Sequence, residues 1–251
     1  MRDFLGYRKI FGVITPSINT CVQPEYDSMR PPGVTNQVAR MQGSDVKVQS
    51  DADFEQVVKD LLKSIDPAID QVVTCRPDHI ILGISALAVW GGSKATSDAL
   101  KQSMKQRAGG KMEVSLATDA IVEALKAHGV KKCIAIVEPY YPVIQPRMQS
   151  FFGEHGYEVV RFNHMKGPQL TEYTRVTAAD MIAALRSIDG PDVEALIQFG
   201  ANLPLAAIAD EAERWLGKPV IPVNTATYWH ALRHNGIADK MPGHTRLLSE
   251  F

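Results

Sequence analysis

Short apolar runs that alternate with amphipathic segments constrain the fold of this chain more than any other feature of its sequence. Runs such as HIILGI, CIAIV and ALIQF are nearly continuous in apolar residues, which is typical of strands buried on both faces of a parallel sheet. Such alternation predicts a parallel α/β fold covered by helices. We predict eight strands: Lys9–Ile14, Gln37–Met41, His79–Ile84, Glu113–Leu116, Lys132–Val137, Glu158–Phe162, Ala195–Phe199 and Val220–Val223.

The segments between the strands carry apolar residues at helical spacing. The clearest stripe is Phe54, Val57, Val58, Leu61, Leu62, Ile65, Ile69 and Val72. Four strand–helix units precede about Leu116 and four follow it, which predicts two α/β lobes. We place one lobe at residues 1–116, completed by 225–251, and the other at 117–224. Ligands of such sheets bind in the crevice beyond the carboxyl ends of the strands.

Composition narrows the class of protein. The 251 residues carry a formal net charge of −1, so no basic excess exists to neutralise nucleic-acid phosphates. No apolar run reaches membrane-spanning length, and the first residues lack the apolar core of a signal peptide. The cysteines are Cys21, Cys75 and Cys133, a scattered odd set that is typical of a reducing compartment. We expect a cytoplasmic protein with a small-molecule pocket. The sequence does not determine the oligomeric state, and a homo-oligomer is one of the alternatives.

Polar residues follow the first and third strands. Ser17, Asn19 and Thr20 offer hydrogen bonds that suit a carboxylate, although a turn and helix cap explains them equally well. After the third strand, Ser85 is a hydrogen-bond donor, the small Ala86 lets a ligand approach the backbone, and Trp90 is a candidate pocket wall. Close packing of strand and helix is the competing explanation for the small residues here.

The fifth and sixth strands are followed by candidates for proton transfer. Tyr140 or Tyr141 points into the crevice, where a phenol can donate to a developing oxyanion. Asn163, His164 and Lys166 follow the sixth strand. Of these, His164 is the best general acid or base by residue type, although a lone histidine is more often structural.

The seventh strand runs into a small-residue turn, Gly200-Ala201-Asn202, and then into a helix. Such a turn presents N–H donors that suit an anion. Phe199, the last residue of the predicted strand, has no reactive atom and is a candidate apolar wall. The polar stretch 42–53 is either an ordinary surface loop or a lid over the crevice.

Common cofactor and metal motifs are absent. The sequence has no GxGxxG and no GxxxxGK[ST] segment, so it lacks the usual glycine-rich loops that bind nucleotide phosphates. It has no HExxH segment, and we expect no metal site. The absence of Gly-x-Ser-x-Gly disfavours an α/β-hydrolase.

Three segments carry a family resemblance. GVITPSINT resembles the opening of maleate cis–trans isomerases, and LIQFGANLPLAAIADEAERWLGKPVIPVNTATYWHALRHNG resembles the corresponding part of arylmalonate decarboxylases. The end, PGHTRLL, resembles the tail of the decarboxylases. Both families belong to the aspartate/glutamate racemase superfamily, and the resemblance extends over nearly the whole chain.

The resemblance implies two Rossmann-like lobes related by a pseudo-twofold axis, a small carboxylate bound in the cleft between them, and neither metal nor organic cofactor. It implies that Asn19 holds a substrate carboxylate, that Ser85 supplies a hydroxyl or backbone donor, and that Tyr140 hydrogen-bonds the substrate. It also implies that the N–H of Gly200 helps to bind a carboxylate or enediolate.

The departures from the family pattern concern thiols. Phe199 occupies the place of the second-lobe catalytic cysteine, and the first-lobe place, around Ile84-Ser85-Ala86, has no thiol either. Thiolates carry the chemistry of the isomerases and racemases. We therefore expect a decarboxylase-type lyase whose proton comes from Tyr140, Tyr141 or His164, with Ser85 as a relay. The alternatives are an isomerase or racemase with a non-cysteine acid or base, and a non-catalytic carboxylate-binding paralogue.

Overall fold

The computed structural model describes residues 4–165, 167 and 169–251, so Lys166 lies outside the described residues. In this part of the chain, eight strands form two four-stranded parallel sheets, ordered β2-β1-β3-β4 and β6-β5-β7-β8. The strands are β1 (Lys9–Pro16), β2 (Val34–Met41), β3 (His79–Leu82), β4 (Glu113–Ser115), β5 (Cys133–Glu138), β6 (Glu158–His164), β7 (Ala195–Gln198) and β8 (Val220–Pro222). The two sheets have the same topology, and the predicted two-lobed α/β fold is confirmed.

All eight predicted strands are present, and their ends differ by a few residues. The largest difference is at β2, which begins at Val34 rather than at Gln37. Thr35 and Asn36 belong to it although they are polar. Because β2 lies at the edge of its sheet, these positions need not be apolar.

Helices cover both sheets. In the described residues they are α1 (Val22–Ser28), α2 (Asp51–Lys63), α3 (Ile65–Val72), α4 (Ser85–Val89), α5 (Lys94–Arg107), α6 (Ala117–Ala127), α7 (Gln145–Glu154), α8 (Ala178–Ile188), α9 (Ala206–Leu216), α10 (Val223–His234) and α11 (Arg246–Ser249). Short 3₁₀ turns span Val73–Cys75, Pro142–Ile144 and Leu170–Arg175.

The long apolar stripe between β2 and β3 forms two helices rather than one. Helix α2 ends at Lys63, and α3 begins at Ile65. Pro67 has no N–H to donate to the carbonyl of Lys63, and its ring clashes with that carbonyl. The proline therefore interrupts the helix one turn before its own position, and Phe54 and Ile69 pack from two separate helices.

The two sheets meet at the carboxyl ends of their strands. The side chain of Asn19, just after β1, donates to the carbonyl oxygen of Ala201, after β7, over 3.2 Å. The Thr20 N–H donates to Asn202 Oδ1 over 3.0 Å. These bonds join the loops that follow the central strands of the two sheets, so the crevice predicted from the strand order lies between them.

Helix α10 packs against the first sheet although it follows the last strand in sequence. It contacts α6, α1, β3 and β4, and every residue from Val223 to Leu232 is buried. The division into lobes at residues 116 and 224 stays a prediction. None of the helices in the described part of the chain is long and apolar enough to cross a membrane.

The folded chain should lose stability in mild acid because of His128. Burial lowers the pKa of this ring to about 4, whereas in the unfolded chain it titrates near its ordinary value of about 6.5. Stability is therefore full above about pH 6.5 and falls as the pH drops toward 4, since only the unfolded chain takes up the proton. We expect a loss of about 1–2 kcal/mol between pH 7 and pH 5, with allowance for solvent at the ring.

Urea unfolding of the wild type and of His128→Phe at both pH values measures this contribution. Phenylalanine keeps the edge contact with Phe251, whose ring centre lies 4.9 Å away, but cannot bind a proton. The variant should therefore show the smaller loss in acid. An equal loss in both proteins would contradict the assignment.

Candidate active site

A small cavity lies at the junction of the two sheets. It encloses about 60 Å³, and because one water molecule needs about 10–15 Å³, it admits only a small molecule. Its wall is mainly apolar, with a few polar atoms on one side. It is lined by Pro16, Ile18, Asn19, Phe54, Val57, Val58, Leu61, Ile84, Ala86, Pro139, Tyr140, Leu170, Tyr173, Ala201 and Asn202.

In the turn after β7, the carbonyl groups of the first two residues both accept hydrogen bonds. The Gly200 oxygen accepts from the Gln198 amide over 2.6 Å. The Ala201 oxygen accepts from the amides of Asn19, at 3.2 Å, and Asn224, at 3.0 Å. With its carbonyls so occupied, the turn directs the Ala201 N–H to Ser85 Oγ, over 3.1 Å. The Gly200 N–H has no acceptor among the described residues.

Gly200 is required in this turn by space rather than by backbone angle. A Cβ atom at this position would lie 2.5 Å from Cδ of Pro139, which is closer than carbon atoms can approach. Pro139 directly precedes Tyr140 at the end of β5. The absence of a side chain at Gly200 therefore lets the turns after β5 and β7 lie against each other.

Three donors come together here, which we call the donor cluster: the Ser85 hydroxyl, the Tyr140 hydroxyl and the Ala201 N–H. The two hydroxyl oxygens are 2.6 Å apart. Ser85 Oγ accepts from the Ala201 N–H. When it also accepts a hydrogen bond from the Tyr140 hydroxyl, the serine hydroxyl hydrogen is left to donate to a ligand. Ser85, which is 1% exposed, begins α4 and comes from the first lobe, whereas Tyr140 and Ala201 follow strands of the second sheet.

Two phenols of the cavity are neutral hydrogen-bond donors. Burial raises the pKa of Tyr140, although the bond from Ser85 opposes this effect. Burial also raises the pKa of Tyr173. The Tyr173 hydroxyl is buried and has no hydrogen-bond partner among the described residues. Since an unpaired buried hydroxyl is costly, this group is available to a ligand in the cavity.

Asn19 has a structural role as well as a place in the cavity wall. Its Oδ1 accepts from the N–H groups of Cys21 and Val22, each over 2.9 Å, at the start of α1. Its Nδ2 donates to Ala201. The helix-cap and the ligand-binding interpretations of the sequence are thus compatible, because Nδ2 carries a second hydrogen that can face a ligand.

His164 lies apart from the donor cluster. Its side chain is 33% exposed and contacts the carboxylate of the fully buried Glu138. Its ring also lies parallel to Phe162, with centres 6.2 Å apart. Glu138 in turn accepts from the backbone N–H of Tyr140. His164 therefore supports the turn that carries Tyr140 and is not part of the cavity wall.

The other sequence-predicted site residues divide into two groups. Asn19, Ala86, Tyr140 and Ala201 line the cavity, with Ser85 and Gly200 directly behind them. Outside the wall lie Ser17, Thr20, Trp90, Asn163, His164 and Phe199. Ser17 bonds to Gly43, and Asn163 donates to Ser187 over 2.8 Å.

Phe199 points away from the cavity. It is fully buried, and its ring meets Phe152 of α7 edge-on, with centres 6.1 Å apart. Trp90 does not line the cavity either. Its ring packs under the Arg147 guanidinium, whose carbon lies 4.0 Å from the ring centre. Trp90 reaches the cavity only through its contact with Phe54, at 6.0 Å.

Part of the cavity wall comes from residues that do not follow a strand, and our inspection of the strand ends did not predict it. These residues belong to α2 and to the 3₁₀ segment Leu170–Arg175. Phe54, Val57, Val58 and Leu61 belong to the apolar stripe of α2, so the signal for them was present but indistinguishable from a core face. Leu170 and Tyr173 carry no such periodic signal. They line the cavity from the 3₁₀ segment, which follows β6 in the sequence.

Residues 42–50 connect the two lobes beside this wall. Lys47 forms an isolated antiparallel bridge with Gln169, and the Thr171 hydroxyl donates to Asp45 over 2.8 Å. The Tyr141 hydroxyl donates to the carbonyl of Val48. The segment is therefore held by contacts of three of its residues, and its opening as a lid stays a prediction.

The fold and the donor cluster define a two-lobed α/β protein with an anion-compatible pocket between its sheets. A sequence profile of the arylmalonate decarboxylase family matches residues 11–248. Maleate isomerase of Nocardia farcinica is 23% identical over 252 residues, which cover 98% of this chain and 97% of that protein. Arylmalonate decarboxylase of Bordetella bronchiseptica is 28% identical over 170 residues, 66% of this chain and 69% of that protein.

Solved structures share the fold. A variant of the Nocardia farcinica maleate cis–trans isomerase with a covalently bound succinylcysteine intermediate has a TM-score of 0.86, at 22% identity, over 97% of this chain and 99% of that one. An arylmalonate decarboxylase crystal structure has a TM-score of 0.70, at 20% identity, over 96% and 100%. The chain belongs to the arylmalonate decarboxylase family, and the relatives named here are enzymes.

Proposed function

We propose that the chain is a cofactor-independent lyase that decarboxylates a small malonate-type diacid through an enediolate. The observation that supports this proposal most is the pairing of neutral donors with an apolar wall in one cavity. Tyr140 and Ala201 belong to the wall, and Ser85 lies directly behind them in hydrogen-bond contact with both. Phe54, Val58 and other apolar side chains form the rest of the wall.

The two sides of the cavity suit the two carboxylates of a malonate differently. One carboxylate accepts a hydrogen bond from the hydroxyl hydrogen that is left over in the donor cluster and another from Tyr173. The other then lies against apolar side chains, where its charge is poorly solvated, and loss of CO₂ removes that charge. Maleate keeps both carboxylates throughout isomerisation, so it would need donors at both ends of the cavity.

The proposed reaction uses groups of the chain alone. The bond from the α-carbon to the desolvated carboxylate breaks, CO₂ leaves, and the electron pair moves into the bound carboxylate to give an enediolate. The donor cluster stabilises the two oxygens on which this negative charge develops. Tyr140 then gives its proton to the α-carbon, and the phenolate recovers a proton from water through Ser85.

An isomerase mechanism has less support in this cavity. The solved maleate isomerase variant carries a succinylcysteine, and such an adduct requires a thiol. In the described part of the chain, no cysteine lines the cavity. Cys21, after β1, is buried against Asn224 and Glu25, and burial raises its thiol pKa far above neutral pH.

A non-catalytic carboxylate-binding protein is the second candidate. It is favoured by the absence of Cys, His, Lys, Asp and Glu from the described cavity wall. Both candidates need the donor cluster, but only the lyase needs a proton from Tyr140.

Proton NMR in deuterated water separates the candidates. The protein is mixed with phenylmalonate, methylmalonate, maleate, aspartate or mandelate. The proposal expects a malonate to give a monocarboxylate with one deuteron at the α-carbon. Conversion of maleate to its trans isomer would overturn it in favour of an isomerase. No reaction, together with a rise of the melting temperature by one of the acids, would favour the binding protein.

A further inference from the structure

Two histidines and a glutamate meet where α10 packs against α6, away from the cavity. His230 and His234 lie one turn apart on α10, and Glu123 faces them from α6. One ligand atom from each lies within 4.8 Å of the others. Glu123 Oε2 is 2.9 Å from Nε2 of His234, and Glu123 Oε1 is 3.5 Å from Nε2 of His230. None of the three lines the cavity.

We propose that Glu123, His230 and His234 form a binding site for a divalent transition-metal ion such as Zn²⁺. Two imidazoles and a carboxylate are a common ligand set for zinc. Zinc bonds of about 2.0–2.2 Å place tetrahedral ligand atoms about 3.3–3.6 Å apart. One carboxylate oxygen, Glu123 Oε1, lies 3.2 Å from Nε2 of His234 and 3.5 Å from Nε2 of His230, which is close to that spacing.

The buried ring of His230 is the second observation that points to a ligand. The side chain is 2% exposed, and its Nε2 has no hydrogen-bond partner among the described residues. This nitrogen faces the Glu123 carboxylate. When Nε2 carries no proton, its lone pair opposite the carboxylate is unfavourable unless a cation lies between them, and a metal ion bound by both would satisfy both groups.

A chain of buried side chains orients that nitrogen. His230 Nδ1 lies 2.7 Å from Ser115 Oγ, and Ser115 Oγ lies 2.7 Å from Nε2 of His79. When Nδ1 of His230 donates to Ser115 and Ser115 donates to His79, Nε2 of His230 presents its lone pair. Metal-binding histidines are generally oriented by such a bond from the second ring nitrogen.

The rest of the site can adjust to an ion. The side chains of His234 and Glu123 are 44% and 40% exposed, so they can move, and water can take the fourth position. The two histidines lie at i and i+4 on one helix, a spacing visible in the sequence. The sequence-based expectation of no metal site rested on the absence of metal motifs and stays a prediction. The carboxylate comes from a distant helix, which only the tertiary structure shows.

Zinc titration by calorimetry tests the site. The protein is prepared without a histidine tag, freed of metal with EDTA and dialysed free of chelator. We expect one Zn²⁺ per chain and a rise of the melting temperature, because the ion would join α6 to α10 only in the folded state. Co²⁺ should give the intense visible absorption of a four-coordinate ion.

Variants identify the ligands. Glu123→Gln and His234→Ala should each weaken zinc binding by about 100-fold or more, beyond the 10- to 100-fold that loss of an orienting residue costs. His155→Ala and Cys75→Ser, which change a histidine and an exposed thiol outside the site, should bind zinc as the wild type does. The metal-free melting temperature of each variant shows that it is folded, and Glu123→Gln retains the shape of its side chain.

Two results would overturn the proposal. One is the absence of saturable binding of Zn²⁺ by the wild type at millimolar concentration. The other is equal binding by the wild type, Glu123→Gln and His234→Ala. Neither result bears on the proposed lyase activity, because the site shares no residue with the cavity.

Discussion

Tyr140→Phe should reduce kcat about 100- to 1,000-fold on the malonate that the NMR panel identifies, because the donor and proton source nearest to Ser85 is lost. The substitution removes one oxygen atom, whose bond to Ser85 Oγ is 2.6 Å long, and keeps the ring against Phe54. We therefore expect the fold to persist and the melting temperature to change little. Steady-state rates and a melting curve of the same preparation measure both effects.

A second tyrosine outside the cavity is the matched control. Tyr157→Phe changes a buried tyrosine next to β6 that lines no part of the cavity, so its kcat should equal that of the wild type. Tyr173→Phe should raise KM more than it lowers kcat, since we assign to Tyr173 a bond to the substrate and no proton transfer. Full turnover by Tyr140→Phe would remove the proposed proton donor and with it the mechanism.

Gly200→Ala should destabilise the fold by about 1–3 kcal/mol, which is the usual range for overpacking, and abolish activity. The added Cβ would lie 2.5 Å from Cδ and 2.7 Å from Cγ of Pro139. Pro139 cannot move without displacing Tyr140. Relief of the clash must therefore separate the turns after β5 and β7, which carries the Ala201 N–H away from Ser85.

The control for this change is another glycine with free space. Gly153 lies in α7, and nothing stands within 4 Å of a Cβ built on it. Gly153→Ala should stabilise the protein by about 0.5–1 kcal/mol, because alanine loses less backbone entropy in a helix. Urea unfolding of both variants beside the wild type gives the two free energies. Wild-type stability and activity in Gly200→Ala would show that the contact with Pro139 is not tight.

Of the candidate catalytic groups of the sequence, Ser85 and Tyr140 are in hydrogen-bond contact, whereas Tyr141 bonds to Val48 and His164 to Glu138. The loop after each parallel strand leads to the same edge of its sheet, so strand order alone brings such loops together. It does not fix the direction of a side chain within a loop. His164 turns toward Glu138 and solvent, and Phe199 turns into the core against Phe152.

The sequence by itself determined the eight strands and their parallel arrangement in two lobes, because burial on both faces of a sheet demands apolar runs and because helices leave a 3.6-residue period. The family followed from three segments with a recognisable motif. The interruption between α2 and α3 is also encoded locally, by Pro67. Only the tertiary structure decided which side chains share the cavity and that Glu123 faces two histidines of α10. Those arrangements depend on packing between segments that are distant in the chain, and no local pattern of residues encodes the direction in which a loop side chain points.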